Sequence, residues 1–249
     1  MKPLGLALFS IVLLTGCLGV PAGAPSSQVL DCVLNDGVTA PVGVQWLDVA
    51  YAAIEGWPKP TATGPWEFTA LGPPTARQVR TVVVPADAPH AAQFPRTAYV
   101  VRTEVEGVAT AVLYRFYEER DDGLYWLGDS DQSMAVLVSP PPRFLPRGLR
   151  LGQRWEERYR DSRFDLEVTA EHEVVGCGEA RVPAGRFANT LLVRSSYRYA
   201  ESPGASIVYS WHAPGTGLIA ATTASSVSES TVAVTALLEH WSAGGRLAP

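Results

Sequence analysis

Gly128-Asp129-Ser130-Asp131-Gln132-Ser133 offers two kinds of chemistry. Gly-Asp-Ser could present a nucleophile, and Asp129-x-Asp131-x-Ser133 spaces oxygen ligands as a calcium loop does. Neither is completed. No strand-to-helix elbow surrounds Ser130 and no Asp-x-x-His pairing follows. A calcium loop needs glycine at position six and a bidentate glutamate at twelve. Asp and Ser at these positions suit a polar hairpin loop, which is the expected structure.

The four histidines, His90, His172, His212 and His240, lie far apart in the sequence, so a zinc site would have to be assembled in space. His172 is the one polar side chain on the apolar face of its segment, either a contact in a concave pocket or a buried, hydrogen-bonded histidine. The second is the commoner fate of such a residue. Glu171-His172-Glu173 cannot chelate by itself, because neighbours in a strand point to opposite faces. Trp126, Trp155 and Trp211 with Tyr197, Tyr199 and Tyr209 would either line an apolar cavity or give a β core its bulk. The candidate pocket residues are therefore His172, Trp155 and Trp211, with no metal and no catalytic set. Arginine recurs at 143, 147, 150, 154, 158, 160 and 163, which could meet an anionic partner. Glu156, Glu157, Asp161 and Asp165 are interleaved, and a self-paired, solvated face is the default.

The first residues decide where such a surface would work. Lys2 precedes a nearly unbroken apolar run from Leu4 to Leu14, about ten residues, where a span needs roughly twenty. A basic start, a short apolar core and small residues before a cut describe an export signal. The cut site, Leu14-Thr15-Gly16-Cys17, resembles the lipobox of bacterial lipoproteins. That resemblance implies diacylglycerol transfer to the Cys17 sulfur, cleavage after Gly16 and acylation of the new amino terminus. Several acyl chains on one residue anchor stably, where one is marginal. Leu18 is not the aspartate of an inner-membrane retention signal, which favours the outer membrane. Cys32 and Cys177 then remain. An even pair outside the cytoplasm suggests a disulfide, worth about 4–5 kcal/mol on the chain-entropy model; the alternative is two buried thiols. Loss of Lys2 takes the formal charge from −5 to −6, which gives no reason to expect nucleic acid. Lys59 is the only lysine beyond the signal, which argues against a lysine nucleophile.

The elements that would hold these residues are mostly strands. Residues 17–30 are small, Pro-rich and polar and read as a tether. Within 31–65, Trp46, Val49, Ala53 and Trp57 recur at helical spacing before Gly56 and Pro58, predicting one short helix followed by a loop. From Trp66 to about residue 240 short apolar or alternating runs are cut by Pro, Gly and Asp, an all-β pattern; residues 241–249 form a tail. In 163–174 the even positions are apolar apart from His172 and the odd ones polar. Trp155 and Tyr159 alternate likewise, and a two-residue turn at Asp161-Ser162 would set Tyr159 opposite Phe164, Trp155 opposite Val168 and Arg158 opposite Asp165. A second hairpin is expected about Gly107. Pro183 to Gly185 suits a three-residue loop with Gly185 left-handed, and Pro214-Gly215 a type II turn. Further strands are expected around 190–199, 206–212, 217–223 and 228–239. Val112-Leu113-Tyr114 is apolar on both faces and needs cover on both, from the helix or from sheet curvature.

Three segments in order, Leu149-Arg-Leu-Gly-Gln-Arg-Trp155, Val182-Pro-Ala-Gly-Arg-Phe187 and Trp211-His-Ala-Pro-Gly-Thr-Gly-Leu-Ile219, resemble the motifs of a family of bacterial envelope domains of unknown function, many carried by lipoproteins. The likeness is strongest over about 145–240 and reaches back to Trp66. Leu151 stands where the family has valine, His212 where an aromatic is usual, and Ile219 where valine is found. The resemblance implies a strongly curved, mainly antiparallel sheet akin to the half-barrels of lipoprotein carriers, and it carries no catalytic residues over. Together these readings predict a lipid-anchored envelope lipoprotein with one all-β domain after a short helix. The expected role is a non-enzymatic binding or assembly module for an apolar ligand, a lipid or a protein segment, with no cofactor beyond the acyl chains on Cys17. A structural interaction protein with a filled core is the alternative, and an envelope hydrolase ranks last because no nucleophile–base pair is legible.

Overall fold

The computed structural model describes residues 45–47, 64–70, 76–105, 112–149, 152–200, 204–225 and 233–241. They form strands β1 (Gln45–Leu47), β2 (Trp66–Ala70), β3 (Ala76–Val83), β4 (Tyr99–Val105), β5 (Val112–Arg120), β6 (Gly123–Ser130) and β7 (Ala135–Ser139). There follow β8 (Arg143–Pro146), β9 (Arg154–Asp161), β10 (Leu166–Val182), β11 (Gly185–Tyr199), β12 (Ala205–Ala213), β13 (Gly217–Ser225) and β14 (Ala233–Trp241). All pair antiparallel in one sheet, in the order β1-β10-β11-β12-β13-β14-β2-β3-β4-β5-β6-β7-β9, with β8 beside β6 and β9 also beside β10. The sheet curls until β7 meets β9 over only Val138↔Asp161 and Ser139↔Arg160. It is strongly curved and not a closed barrel, as the all-β pattern predicts.

Cross-strand neighbours share a face, so register alone traces the concave side. One row runs Val82–Val101–Arg115–Asp129–Val136. Another runs Trp155–His172–Ser195–Val208. Val138 and Asp161 join them where β7 meets β9. On the convex side of β4–β6, Val100, Tyr114, Phe116 and Leu127 form a separate core with Ala88 and Phe94. Those last two come from a segment with two single-turn 3-10 helices, Pro85–Asp87 and Ala91–Gln93. Phe94 stacks on Phe116 with centroids 3.9 Å apart, and Ser130 Oγ donates to the Pro89 carbonyl at 2.8 Å. The double-sided strand around Val112 is thus covered by curvature within and by this segment outside. The predicted helix falls mostly outside the described residues. Its first residues, Gln45–Leu47, run instead as a strand paired with Glu179–Arg181.

The predicted turns are corrected in length. β9 and β10 join through four residues, Ser162–Asp165, so Tyr159 faces Val168 and Trp155 faces His172. Asp161 explains the wider turn: its Oδ1 accepts the Arg163 N–H at 2.8 Å, a side-chain hydrogen bond that shapes the bend. Phe164 is left 43% exposed at the tip, and Asp165 pairs with Arg160 rather than facing Arg158. The register differs by an even number, so every side chain that stays within the paired strands keeps its predicted face, while Phe164 and Asp165 leave the strand for the turn. At Pro183-Ala184 the loop has two residues, with Gly185 (φ +135°) already paired to Val182. The turn at Pro214-Gly215 is as expected: Gly215 has φ +72° and Thr216 N–H donates to the Ala213 carbonyl.

Candidate functional site

The concave face carries an unusual load of polar groups for the interior of a curved sheet. The Asp129 carboxylate accepts from Arg115 Nε at 2.9 Å and from Nη2 at 3.3 Å. Trp126 Nε1–H donates to the same Oδ1 at 3.0 Å, and the Arg115 guanidinium lies over the Trp126 ring at 5.5 Å. Burial works against the Arg115 charge, and Asp129 more than offsets it, so the guanidinium pKa is raised. Asp129 belongs to the Gly-Asp-Ser-Asp stretch, and the structure divides that stretch by role. Asp131 makes the hairpin turn, its Oδ1 accepting from Ser133 N and Oγ and from Met134 N, while Asp129 points inward. Removing that carboxylate leaves Arg115 and the Trp126 donor unmatched. Asp129→Ala is expected to lower stability by about 2–4 kcal/mol, and Asp129→Asn by less. Urea unfolding measures both, and an unchanged Asp129→Ala midpoint would contradict the pairing.

His172 is the buried, hydrogen-bonded histidine that its position suggested. Its ring stacks on Trp155 at 4.9 Å and meets the edge of Tyr197 at 5.9 Å. Its Nδ1 shares a 2.8 Å hydrogen bond with Ser195 Oγ. Trp155 is held in turn by its Nε1–H, which donates to the Arg143 carbonyl at 3.1 Å. Burial pushes the His172 pKa down to about 4, so the ring is neutral near pH 7. Ser195 and His172 make a contact that sequence reasoning did not anticipate, and its geometry is that of a nucleophile and a base. No carboxylate orients the ring among the described residues, both partners are buried, and so depressed a pKa makes a weak base.

Trp211 is not part of that group. It pairs with Leu192 in β11, out of step with Ser195↔Val208, so alternation puts it on the opposite face of the sheet from His172 and Trp155. There Ile207, Tyr209 and Trp211 are buried, whereas Ser206, Val208 and Ser210 on the concave side are only half-buried. His212 lies in step with Val208 on the concave side, where its Nε2 shares a hydrogen bond with Ser210 Oγ at 2.9 Å. Burial first, and then the charge of Arg80, push its pKa down to about 3.

Arg80 and Trp66 were missed altogether in the sequence. They are direct partners across β2 and β3. Arg80 lies over the Phe68 ring at 4.6 Å and reaches the Gln78 side-chain oxygen at a long 3.4 Å. No carboxylate among the described residues pairs with it, and neither its Nε–H nor the Trp66 Nε1–H has an acceptor. Burial, reinforced by Arg115, pushes the Arg80 pKa down to about 10, still charged near neutral pH. No local pattern marks such a residue, because an arginine in a short apolar strand reads as a solvent-facing one.

The outer arginines are paired as the interleaved acids suggest. Arg143 meets Asp122 and Glu157, Arg147 meets Glu119, Arg154 meets Glu173, Arg158 meets Glu156 and Arg160 meets Asp165. Cys17 and Cys32 lie outside the described residues. Cys177 lies in β10 opposite Leu191, and its pairing is likewise outside what is described. Among the described residues no three of His, Cys, Asp and Glu converge as metal ligands. No helix there is long and apolar enough to cross a membrane.

The three motif segments border the same wall. Trp155, Phe187, Trp211 and Ile219 are all buried, and each segment contains a positive-φ glycine, Gly152, Gly185 and Gly215 with Gly217. No family model matches the chain, and no curated protein matches it. Among solved structures, a "putative lipoprotein" of Parabacteroides distasonis superposes with a TM-score of 0.37 at 11% identity, over 74% of this chain and 97% of that one. A "putative exported protein with YmcC-like fold" of Bacteroides fragilis gives 0.38 at 12% identity, over 77% and 100%.

Proposed function

We propose that the protein is a lipid-anchored lipoprotein of the bacterial cell envelope, tethered through acyl chains on Cys17. Its curved sheet is a non-enzymatic binding module that accepts an apolar ligand, a lipid or a protein segment on the concave face. The outer membrane is the favoured site. The observation that carries the binding role is local to one stretch of β12, where Ser206, Val208 and Ser210 on the concave side are half-buried while Tyr209 and Trp211 behind them are sealed; His212, at the end of the same row, is buried. The Leu14-Thr15-Gly16-Cys17 sequence supports the anchor. The arginine-rich exterior gives little support to a charge-driven interaction surface, since its charges are matched locally.

Two measurements test this. Mass spectrometry of the native protein should find a chain beginning at an acylated Cys17; an intact leader or an unmodified cysteine removes the anchor. Native mass spectrometry of Cys17→Ala, purified without detergent, should show a non-covalent adduct of lipid mass that is lost on denaturation. A bare polypeptide from cells and after incubation with total membrane lipid would overturn the binding role.

A further inference from the structure

Arg115 is matched by Asp129, whereas Arg80 has no carboxylate among the described residues. Two buried donors, Arg80 Nε–H and Trp66 Nε1–H, stand side by side in register without acceptors. An interior guanidinium in this state is costly, and native proteins nearly always satisfy such groups. Its neighbours are mixed: Phe68 lies under the guanidinium and Val82 and Val101 follow on the same face, while Thr103 is its partner in β4 and Gln78 flanks it in β3. Gln78 supplies a single long contact to Nη2, and the buried Nε–H is left without an acceptor.

We infer that Arg80 and Trp66 form the recognition site for the anionic head of a single-chain amphiphile, a carboxylate or phosphate whose apolar tail lies along the concave face. This inference rests on the binding role proposed above and names its ligand class. The head accepts from the guanidinium and the indole, and the tail meets the aromatic and aliphatic lining. Charge-assisted bonds of this type are stronger than neutral ones and suffer little from competition by water once enclosed. Arg80, and not the better-matched Arg115, is the anchoring residue because Asp129 already takes the Arg115 Nε–H and Nη2–H in a bidentate pair that neutralises its charge.

Intrinsic tryptophan fluorescence of the full chain carrying Cys17→Ala, titrated in detergent-free buffer, tests it with four probes: dodecanoate, dodecyl phosphate, 1-dodecanol and inorganic phosphate. The anionic amphiphiles should bind at least about tenfold more tightly than dodecanol, the scale of one charge-assisted hydrogen-bonding group. Arg80→Gln and Arg80→Met should abolish that preference. Trp66→Phe, which removes only the indole donor from the polar contact, should weaken the preference by a few-fold. Equal binding of dodecanoate and dodecanol to the parent would overturn the anion site and leave the apolar binding role standing. Inorganic phosphate binding as tightly as dodecyl phosphate would overturn the amphiphile in favour of a free anion. If none of the four binds, the amphiphile site falls. Thermal unfolding of each variant identifies misfolding, and Trp66→Phe gives a second reading if the Arg80 variants do not fold.

Discussion

Gly128→Ala is expected to cost about 4 kcal/mol, a large fraction of the roughly 5–15 kcal/mol that keeps a domain folded. Gly128 has φ +139°, and a Cβ there would sit 2.1 Å from the Val136 carbonyl oxygen and 3.0 Å from the Phe94 ring. The oxygen belongs to the neighbouring strand's backbone and cannot swing away. Relief would have to come from opening the β6–β7 pairing, which is only three residue pairs long. The consequence reaches the concave face. Phe116 pairs with Gly128 but Tyr117 with Trp126, so Leu127 is an extra residue in β6. That bulge lets Trp126 and Asp129, three apart, lie on one face and share a hydrogen bond. Urea unfolding and near-ultraviolet circular dichroism of Gly128→Ala measure the loss. A variant as stable as the parent would show that β6 and β7 are not in this register.

Acid should loosen the protein well above the range where carboxylates titrate. His172 and His212 have folded-state pKa values pushed down, to about 4 and about 3, from the ordinary 6.5. The unfolded chain therefore binds more protons than the native one as the pH falls below 6.5. Stability is full above that value and is lost progressively toward the native pKa values. The loss is roughly 3 kcal/mol for His172 and on the order of 5 for His212. His172 is faced by Trp155, Tyr197 and Ser195, and His212 by Phe144, Ser210 and the charge of Arg80. None of these supplies a negative charge to hold a proton. Asp161, whose carboxyl is pushed up by burial, works in the opposite sense, but only nearer the carboxylate range. Urea unfolding between about pH 7 and pH 4.5 should show a midpoint falling steadily, with the slope reduced in His172→Gln. A flat profile would mean that both rings are solvated.

How the face of each strand became readable depends on what lay on it. In 154–161 and 166–174 the strands alternate cleanly, and the buried residues Trp155, Tyr159, Val168, Ala170, His172 and Val174 are the ones the alternation selects. The even register shift at Ser162–Asp165 left those assignments intact. Alternation failed in β5, where Tyr114, Phe116 and Tyr117 are all buried because both sides are covered. There Arg115 looks like a surface residue between aromatics, and only the bulge at Leu127 and the curl of the sheet show that it faces Asp129.

The sequence groups His172 with Trp155 and Trp211 because the histidine is the one polar side chain on an apolar strand face and the tryptophans could line an apolar cavity beside it. Two of them meet in a ring stack, and the third is on the far side of the sheet. Relative facing across three strands depends on the pairings between them, which are contacts distant in sequence.

Amino-acid order by itself determined that this chain makes strands, which residues within a cleanly alternating strand share a side, where several turns fall, and that its start has the form of an export signal ending in a cysteine. Those follow from local backbone preference and short-range patterning. Tertiary structure alone decided which side is concave, how long the tight turns are, and that Trp66 and Arg80 meet with their donors unspent. Curvature and register arise from pairings between strands far apart in the chain, and no local window contains them.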